Sequence, residues 1–241
     1  MNEIQTHVEA SVTTLTIHRE QAGNMFDMPM IHEMTRQLGL AAQQGHCVVI
    51  RGAGPHFCRG RDPATAGPQP SPMDLRDRVL SPIMGLYDAI RFCPVPVIAA
   101  VQGDALGLGC AIAGVCDITI ADESAQFQLP EMEYHLPPTL AISAIVERVG
   151  KKAAGFMAYS LTRLDAHAAQ GLGLVNTVVP RGQLETALQS LLTTLTSRDL
   201  MSVMAIKEYM AYAPESGPAM RPMASNLLAL ALSTQAARKK A

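Results

Sequence analysis

The sequence predicts an α/β protein, with a mixed β/α core over residues 1–181 and an all-helical segment over residues 182–241. Three observations carry that reading. Short runs rich in β-branched residues alternate with helical periods up to residue 181. Two of those runs pass directly into glycine-rich turns, at residues 51–62 and 102–109. Beyond Arg181 only helical periodicity remains, and no sequence repeat of fixed period is present.

The elements follow in order. Residues 12–17 alternate apolar and polar side chains and read as a half-buried strand. Asp27 and Pro29 start a helix whose apolar face is Ile31, Met34, Leu38 and Ala41, ending before Gly45. Residues 47–50 form a short buried strand running into the glycine-rich stretch 51–62. Residues 63–72 hold four of the sixteen prolines and read as a surface excursion. Residues 74–92 are helical in pattern, with a kink or split expected at Ser81-Pro82 because proline lacks the amide hydrogen. Residues 96–101 are a buried strand, and 102–109 turn it into a small-residue helix ending near Val115. Strands at 117–121 and 125–129 are joined by an acidic turn. Helices follow at 140–149, stopped by Gly150, and at 151–159, with a third capped by Asp165 and ending at Gly171. A last strand at 175–179 precedes helices at 182–197, 199–212 and 218–238.

Composition excludes several function classes. Only 17 % of the side chains are charged against 48 % apolar, so the chain folds rather than remaining disordered. A net charge of −2 leaves no basic footprint for nucleic acid. No window of 18 or more residues is continuously apolar, so no spanning helix and no membrane partner are expected. The five cysteines have no CxxC spacing, which removes zinc knuckles and thioredoxin-like redox motifs and leaves them as small hydrophobes. The N-terminus lacks the basic start and apolar stretch of a signal peptide, and the expected compartment is the cytoplasm. Catalytic motifs are excluded in the same way. No GxSxG or Walker sequence occurs, His32-Glu33 is followed by Arg36 where a zinc site needs histidine, and Gly107-Leu-Gly109 lacks the third glycine of a dinucleotide fingerprint.

What remains is two strand-to-glycine junctions, 50–62 and 101–109, and a carboxylate at Pro130-Glu131. A strand that ends in a glycine turn and opens a helix leaves free amides at the helix start. Two such junctions side by side can aim two donors at one oxygen, and a nearby carboxylate can then move a proton on the adjacent carbon. The same turns also serve simply to close tight β/α connections, and spacing alone does not separate the two readings.

The stretch 94–117 (Pro-Val-Pro-Val-Ile-Ala-Ala-Val-Gln-Gly-Asp-Ala-Leu-Gly-Leu-Gly-Cys-Ala-Ile-Ala-Gly-Val-Cys-Asp) closely resembles the signature of the crotonase, or enoyl-CoA hydratase/isomerase, superfamily. Residues 54–62 resemble its first oxyanion-hole loop, 125–131 its second signature block and 161–175 the segment that closes its core. The resemblance implies a crotonase (ClpP-like) spiral of ββα units with a C-terminal helical trimerisation region. It implies backbone N–H groups of Arg59 and Leu108 as the oxyanion hole and Glu131 as the catalytic carboxylate. Phe57, Cys58, Gly60, Arg61, Asp62 and Gly107 are implied as substrate- and CoA-binding positions. The side chains of Arg59 and Arg61 read either as CoA-phosphate contacts or as solvated loop charges.

Two departures stand out. The family's other glutamate is Ala111 here, and residues 132–139 replace its usual glycine-rich loop. Asp104 and Glu133 are the candidate substitutes for the missing carboxylate. His135 is a possible auxiliary group, although it and His56 read more readily as loop polar groups. The activity implied is enolate chemistry on an acyl-CoA thioester, with double-bond isomerisation by Glu131 as sole acid and base in first place. The alternatives are hydration with a substitute carboxylate, and a catalytically weak acyl-CoA-binding member. No metal or redox cofactor is required, CoA being part of the substrate. Homotrimers or hexamers are implied, and the low charge is expected to reflect Leu191, Leu192, Leu195, Met201, Met204 and the leucines at 227–232 packing between subunits.

Overall fold

The computed structural model describes residues 3–41, 45–62 and 71–212. Its larger sheet has six strands in the order β1 (Ile4–Glu9), β2 (Val12–Ile17), β3 (Cys47–Gly52), β4 (Val97–Val101), β6 (Ile118–Asp122) and β9 (Thr177–Val179). Only β1 is antiparallel to its neighbour; the rest run parallel. A parallel sheet covered on both faces needs apolar side chains in both directions, and β3 and β4 have them. Val48, Ile50, Val97, Ala99 and Val101 face the main core, while Cys47, Val49, Ile98 and Ala100 face a second apolar layer.

The smaller sheet has the order β5 (Asp104–Leu106), β7 (Gln126–Gln128) and β8 (Leu164–Asp165). The chain alternates between the two sheets. β4 leads to β5 and then helix α4 (Leu108–Val115), and β6 leads to β7 and then α5 (Thr139–Ser160). One turn earlier, β3 is followed by Cys58, which pairs with Ala105 of β5, and then by helices α2 (Pro72–Leu75) and α3 (Ser81–Arg91). Each winding therefore adds one strand to the larger sheet, one pairing to the smaller sheet and one helical stretch, which makes the fold a ββα spiral.

Most helices form where expected. α1 (Met28–Ala41) starts on the Asp27 carboxylate, which accepts from Met30 N at 2.9 Å. Between α2 and α3 the chain makes a π-helical turn over Arg76–Leu80, with the Ser81 amide bonding to Arg76 O, directly before Pro82. That is how the expected break at Ser81-Pro82 is realised. Gly150 interrupts α5 with a φ of 77°, separating its two halves as the sequence suggested. Asp165 caps α6 (Ala166–Gly171) by accepting from Ala168 N at 2.7 Å. α4 is buried from end to end, and α5 crosses it closely because Gly114 has no side chain; a Cβ there would lie 2.5 Å from Ile145.

Two expectations change. β1 adds a strand ahead of the one expected at 12–17: Ile4, Thr6 and Val8 alternate with polar residues, although only Ile4 of the six is buried. The first helix of the expected oligomerisation segment, α7 (Leu184–Thr196), packs on its own chain. Leu184, Leu188 and Leu192 recur every four residues against Val49, Ile98 and Ile120, with Leu191 and Leu195 packed beside them. Of the leucines expected between subunits, Leu192 is buried against this second face and Leu191 and Leu195 are partly buried beside it, so α7 uses them to cover its own sheet. Met204 of α8 (Leu200–Tyr212) packs against the main core, while Met201 is exposed. The predicted helix at 218–238, with leucines 227–232, and most of the proline-rich stretch lie outside the described residues. Among the described residues no helix is long and apolar enough to cross a membrane.

α8 is fastened by an ion pair. Lys207, 5 % exposed, donates to both Asp117 oxygens at 2.8 and 2.7 Å and to Ile90 O at 3.2 Å. Asp117 in turn accepts the amide of Val97 at the start of β4. Breaking a buried pair strands the remaining charge, which is worse than removing both. Lys207→Met is expected to cost about 3 kcal/mol in urea unfolding, with a smaller loss in Lys207→Met/Asp117→Asn.

Candidate active site

The glycine-rich loop 57–62 is gripped from two sides. On one side Cys58 N donates to Asp104 O and Leu106 N donates to Cys58 O, both at 2.9 Å, laying the loop along β5. On the other, Phe26 N donates to Gly60 O at 2.9 Å and Asp62 N to Phe26 O at 2.8 Å. In an extended chain, successive peptide groups point to opposite sides. With the Gly60 carbonyl and Asp62 amide turned to Phe26, the Arg61 N–H faces the opposite side.

One expected donor is engaged elsewhere. The Arg59 amide, implied as half of an oxyanion hole, already donates to Gly23 O at 3.0 Å. The amides of Phe57, Cys58 and Asp62 are engaged by backbone carbonyls, and that of Gly60 by Cys58 Sγ at 3.4 Å. Among the described residues, the amide of this loop without an acceptor is that of Arg61. Which amide is free depends on pairing to Gly23 and Phe26, so motif position alone does not give it.

The Leu108 amide stands at the start of α4. Gly107 precedes α4 with φ 51° and ψ −113°, a conformation suited to glycine. The first bond along the helix runs from Ala111 N to Gly107 O, so the amides of Leu108, Gly109 and Cys110 have no partner within it. Leu108 is not among the residues with positive φ, so its side chain imposes no backbone strain.

Glu131 reaches the same junction from β7. Gly107 N donates to Gln128 O at 2.9 Å, and a 3₁₀ turn over Glu131–Tyr134 begins three residues later. A Cβ on Gly107 would sit 3.0 Å from Glu131 Oε1, so the carboxylate lies against the start of α4. Its Oε2 is buried and has no hydrogen-bond partner among the described residues. Burial raises the Glu131 carboxyl above the usual carboxylate range, and its own amide offsets part of that rise. A carboxylate raised in this way is a stronger base than an exposed one.

Buried side chains surround the carboxylate. Burial pushes the Cys58 thiol up to about 12 and the Cys110 thiol higher still, so neither is a nucleophile. Tyr87 of α3, which sequence reasoning missed, is fully buried; burial first, then the Glu131 charge, raises its phenol. Its only sequence signal is a hydroxyl-bearing residue on the apolar Ile83–Leu86–Ile90 face.

The remaining candidates divide clearly. Phe57 and Cys58 are buried side chains that shape the loop from behind. Gly60 faces Leu106 O, where a Cβ would come within 3.3 Å. Asp104, 6 % exposed, is held by Arg59 Nε at 3.2 Å, by Arg163 and by His56 at 3.6 Å, so its oxygens are engaged away from Glu131. Asp62 is likewise buried and paired with Arg19 at 2.9 Å, which removes it from the solvent-facing CoA positions. Glu133 and His135 are exposed on the outside of the turn, His135 in the left-handed conformation. Ala111 is fully buried in α4. Neither Asp104 nor Glu133 is arranged as a second carboxylate beside Glu131.

Comparison with known proteins gives one consistent result. The enoyl-CoA hydratase/isomerase family model matches residues 7–240. The chain is 32 % identical over 193 residues to the 2,3-dehydroadipyl-CoA hydratase of Escherichia coli strain K12, spanning 78 % of this chain and 74 % of that one. Its structure resembles an enoyl-CoA hydratase from Mycobacterium smegmatis with TM-score 0.91 at 26 % identity, covering 95 % of this chain and 91 % of the other. A Thermobifida fusca YX protein solved in complex with CoA gives TM-score 0.89 at 27 % identity, covering 98 % and 95 %.

The raised Glu131 carboxyl has a consequence for stability. The folded protein holds this proton more tightly than the unfolded chain, so the group's contribution falls as pH rises through the raised value. Glu131→Gln removes that penalty. The variant is expected to melt above wild type at about pH 8, with the difference closing by about pH 4, as read by scanning calorimetry.

Proposed function

Because the chain belongs to the enoyl-CoA hydratase/isomerase family, we propose that it shifts a carbon–carbon double bond along the acyl chain of a CoA thioester, with Glu131 as the single acid and base. The observation that carries this reading is the lone carboxylate. Glu131 lies against the Gly107–Leu108 turn, the other family glutamate position is a buried alanine, and Asp104 is engaged by two arginines.

The thioester oxygen would accept from the amides of Leu108 and Arg61. Polarised in that way, the carbonyl makes the protons on the adjacent carbon removable. Glu131 takes a proton from C2 of a 3-enoyl thioester, and the electron pair spreads over C2–C4 and the oxygen as a dienolate. The same carboxyl then delivers the proton to C4. The double bond ends between C2 and C3, and Glu131 is ionised again. One carboxyl is enough for this cycle, whereas addition of water needs a base for the water and an acid for the carbon.

Hydration is the second reading, favoured by the 2,3-dehydroadipyl-CoA hydratase of Escherichia coli among the relatives. One measurement tests the role of Glu131 and a second separates the two readings. Glu131→Gln is expected to lower kcat for a 3-enoyl-CoA by about 10³-fold with KM nearly unchanged, and near wild-type turnover would overturn the role of Glu131. A 2-enoyl-CoA incubated in ¹⁸O-water is expected to give no labelled 3-hydroxyacyl product. Labelled product would establish hydration instead.

A further inference from the structure

The proposed Arg61 donor is aimed by its neighbours Gly60 and Asp62, which are held by the Phe26 backbone, and one side chain ties Asp62 to the segment that carries Phe26. Arg19 precedes a short turn, and its guanidinium makes three contacts at once. Nη2 meets Asp62 Oδ2 at 2.9 Å, Nη1 donates to Met25 O at 2.9 Å and Nε meets Glu3 Oε1 at 3.2 Å. Met25 and Asp62 directly flank the Phe26–Arg61 pairing, one on each strand, so Arg19 spans that pairing from outside. The Arg19 and Asp62 side chains are only 17 % and 10 % exposed.

The same turn is held further along. Arg19 N donates to Asn24 Oδ1 at 2.9 Å, and Asn24 Nδ2 donates to Ala53 O and His56 O at 2.8 and 2.7 Å. Residues 19–26 thus form a plate on which loop 53–62 lies. Its contacts to the residues on either side of Arg61 are the two Phe26 hydrogen bonds, to Gly60 and Asp62, and the Arg19–Asp62 ion pair.

We propose that Arg19, through Asp62, is a positioning residue for the oxyanion-binding amide of Arg61. The inference rests on the function proposed above, in taking that amide as a donor to the thioester. A backbone amide has no rotamer with which to correct its aim. If Asp62 swings away, the Phe26 register loosens and the Arg61 N–H turns with it. Hydrogen bonds weaken steeply once misaligned, and loss of one such donor slows catalysis by about 10²–10³-fold. A buried ion pair adds little net stability over an uncharged replacement, so its effect here is on geometry.

The test uses the full chain as wild type, Arg19→Lys, Arg19→Met and Arg19→Met/Asp62→Asn. The double variant leaves no stranded charge between these two positions, which separates folding from aim. Each protein is assayed for kcat, KM and melting temperature. Each is also examined by difference infrared spectroscopy with an acyl-CoA carrying ¹³C at the thioester carbonyl. The double variant is expected to melt close to wild type and keep KM within about two-fold, while kcat falls about thirty-fold. Its bound carbonyl stretch should move back toward the value in water, and Arg19→Lys should recover part of both losses. Wild-type kcat and wild-type carbonyl frequency in the double variant would overturn the proposal alone. A wild-type complex with no carbonyl shift would overturn the functional reading and this proposal together.

Discussion

Two backbone hydrogen bonds across a single residue pair, Cys58 N–H to Asp104 O and Leu106 N–H to Cys58 O, bring the two halves of the site together. One half is a loop from the winding that starts at β3, the other a helix start from the winding that begins at β4. The pairing of Cys58 with Ala105 sets these segments side by side in a fixed register. Gly109 keeps them there, because a Cβ at that position would fall 2.1 Å from Cys58 O. Because the spiral repeats, each winding brings one strand end to the same edge, and the proposed donors and Glu131 all lie on these strand ends.

Electrostatics then sets the carboxylates held in ion pairs apart from Glu131, the proposed acid and base. Two arginines and a histidine surround Asp104, and Arg19 occupies Asp62, so both carboxylates are committed to structure. Glu131 forms no ion pair among the described residues, its Oε2 is buried without a partner, and Tyr87 and two inert thiols lie near it. A base left alone in low dielectric holds its proton more tightly and releases it to chemistry rather than to a neighbour.

Much of this was legible in the sequence because the physics is local. Alternation wrote β2, glycine marked both junctions and the break in α5, Asp165 announced its cap, and Pro130-Glu131 stood at the end of a strand. The parts that were not legible depend on distant partners. β1 has only a brief alternation of Ile4, Thr6 and Val8 with polar residues and buries one side chain of six, so its pairing with β2 is what holds it as a strand. Arg59 and Arg61 flank the same glycine, and only pairing to Gly23 and Phe26, over thirty residues upstream, decides which amide is left open. Asp104 looked available as a carboxylate until Arg163, 59 residues later, closed on it. The low charge was assigned to contacts between subunits, yet α7 spends its leucines on the second face of its own sheet.

The central claim is that the amides of Arg61 and Leu108 converge on one oxygen beside a single carboxylate. A crystal structure with an unreactive acyl-CoA analogue bound tests it most directly. The account predicts the thioester oxygen at about 3 Å from both amide nitrogens, with Glu131 the only carboxylate facing the α-carbon. An oxygen bound at the Arg59 amide, or a second carboxylate holding water against the acyl chain, would contradict it.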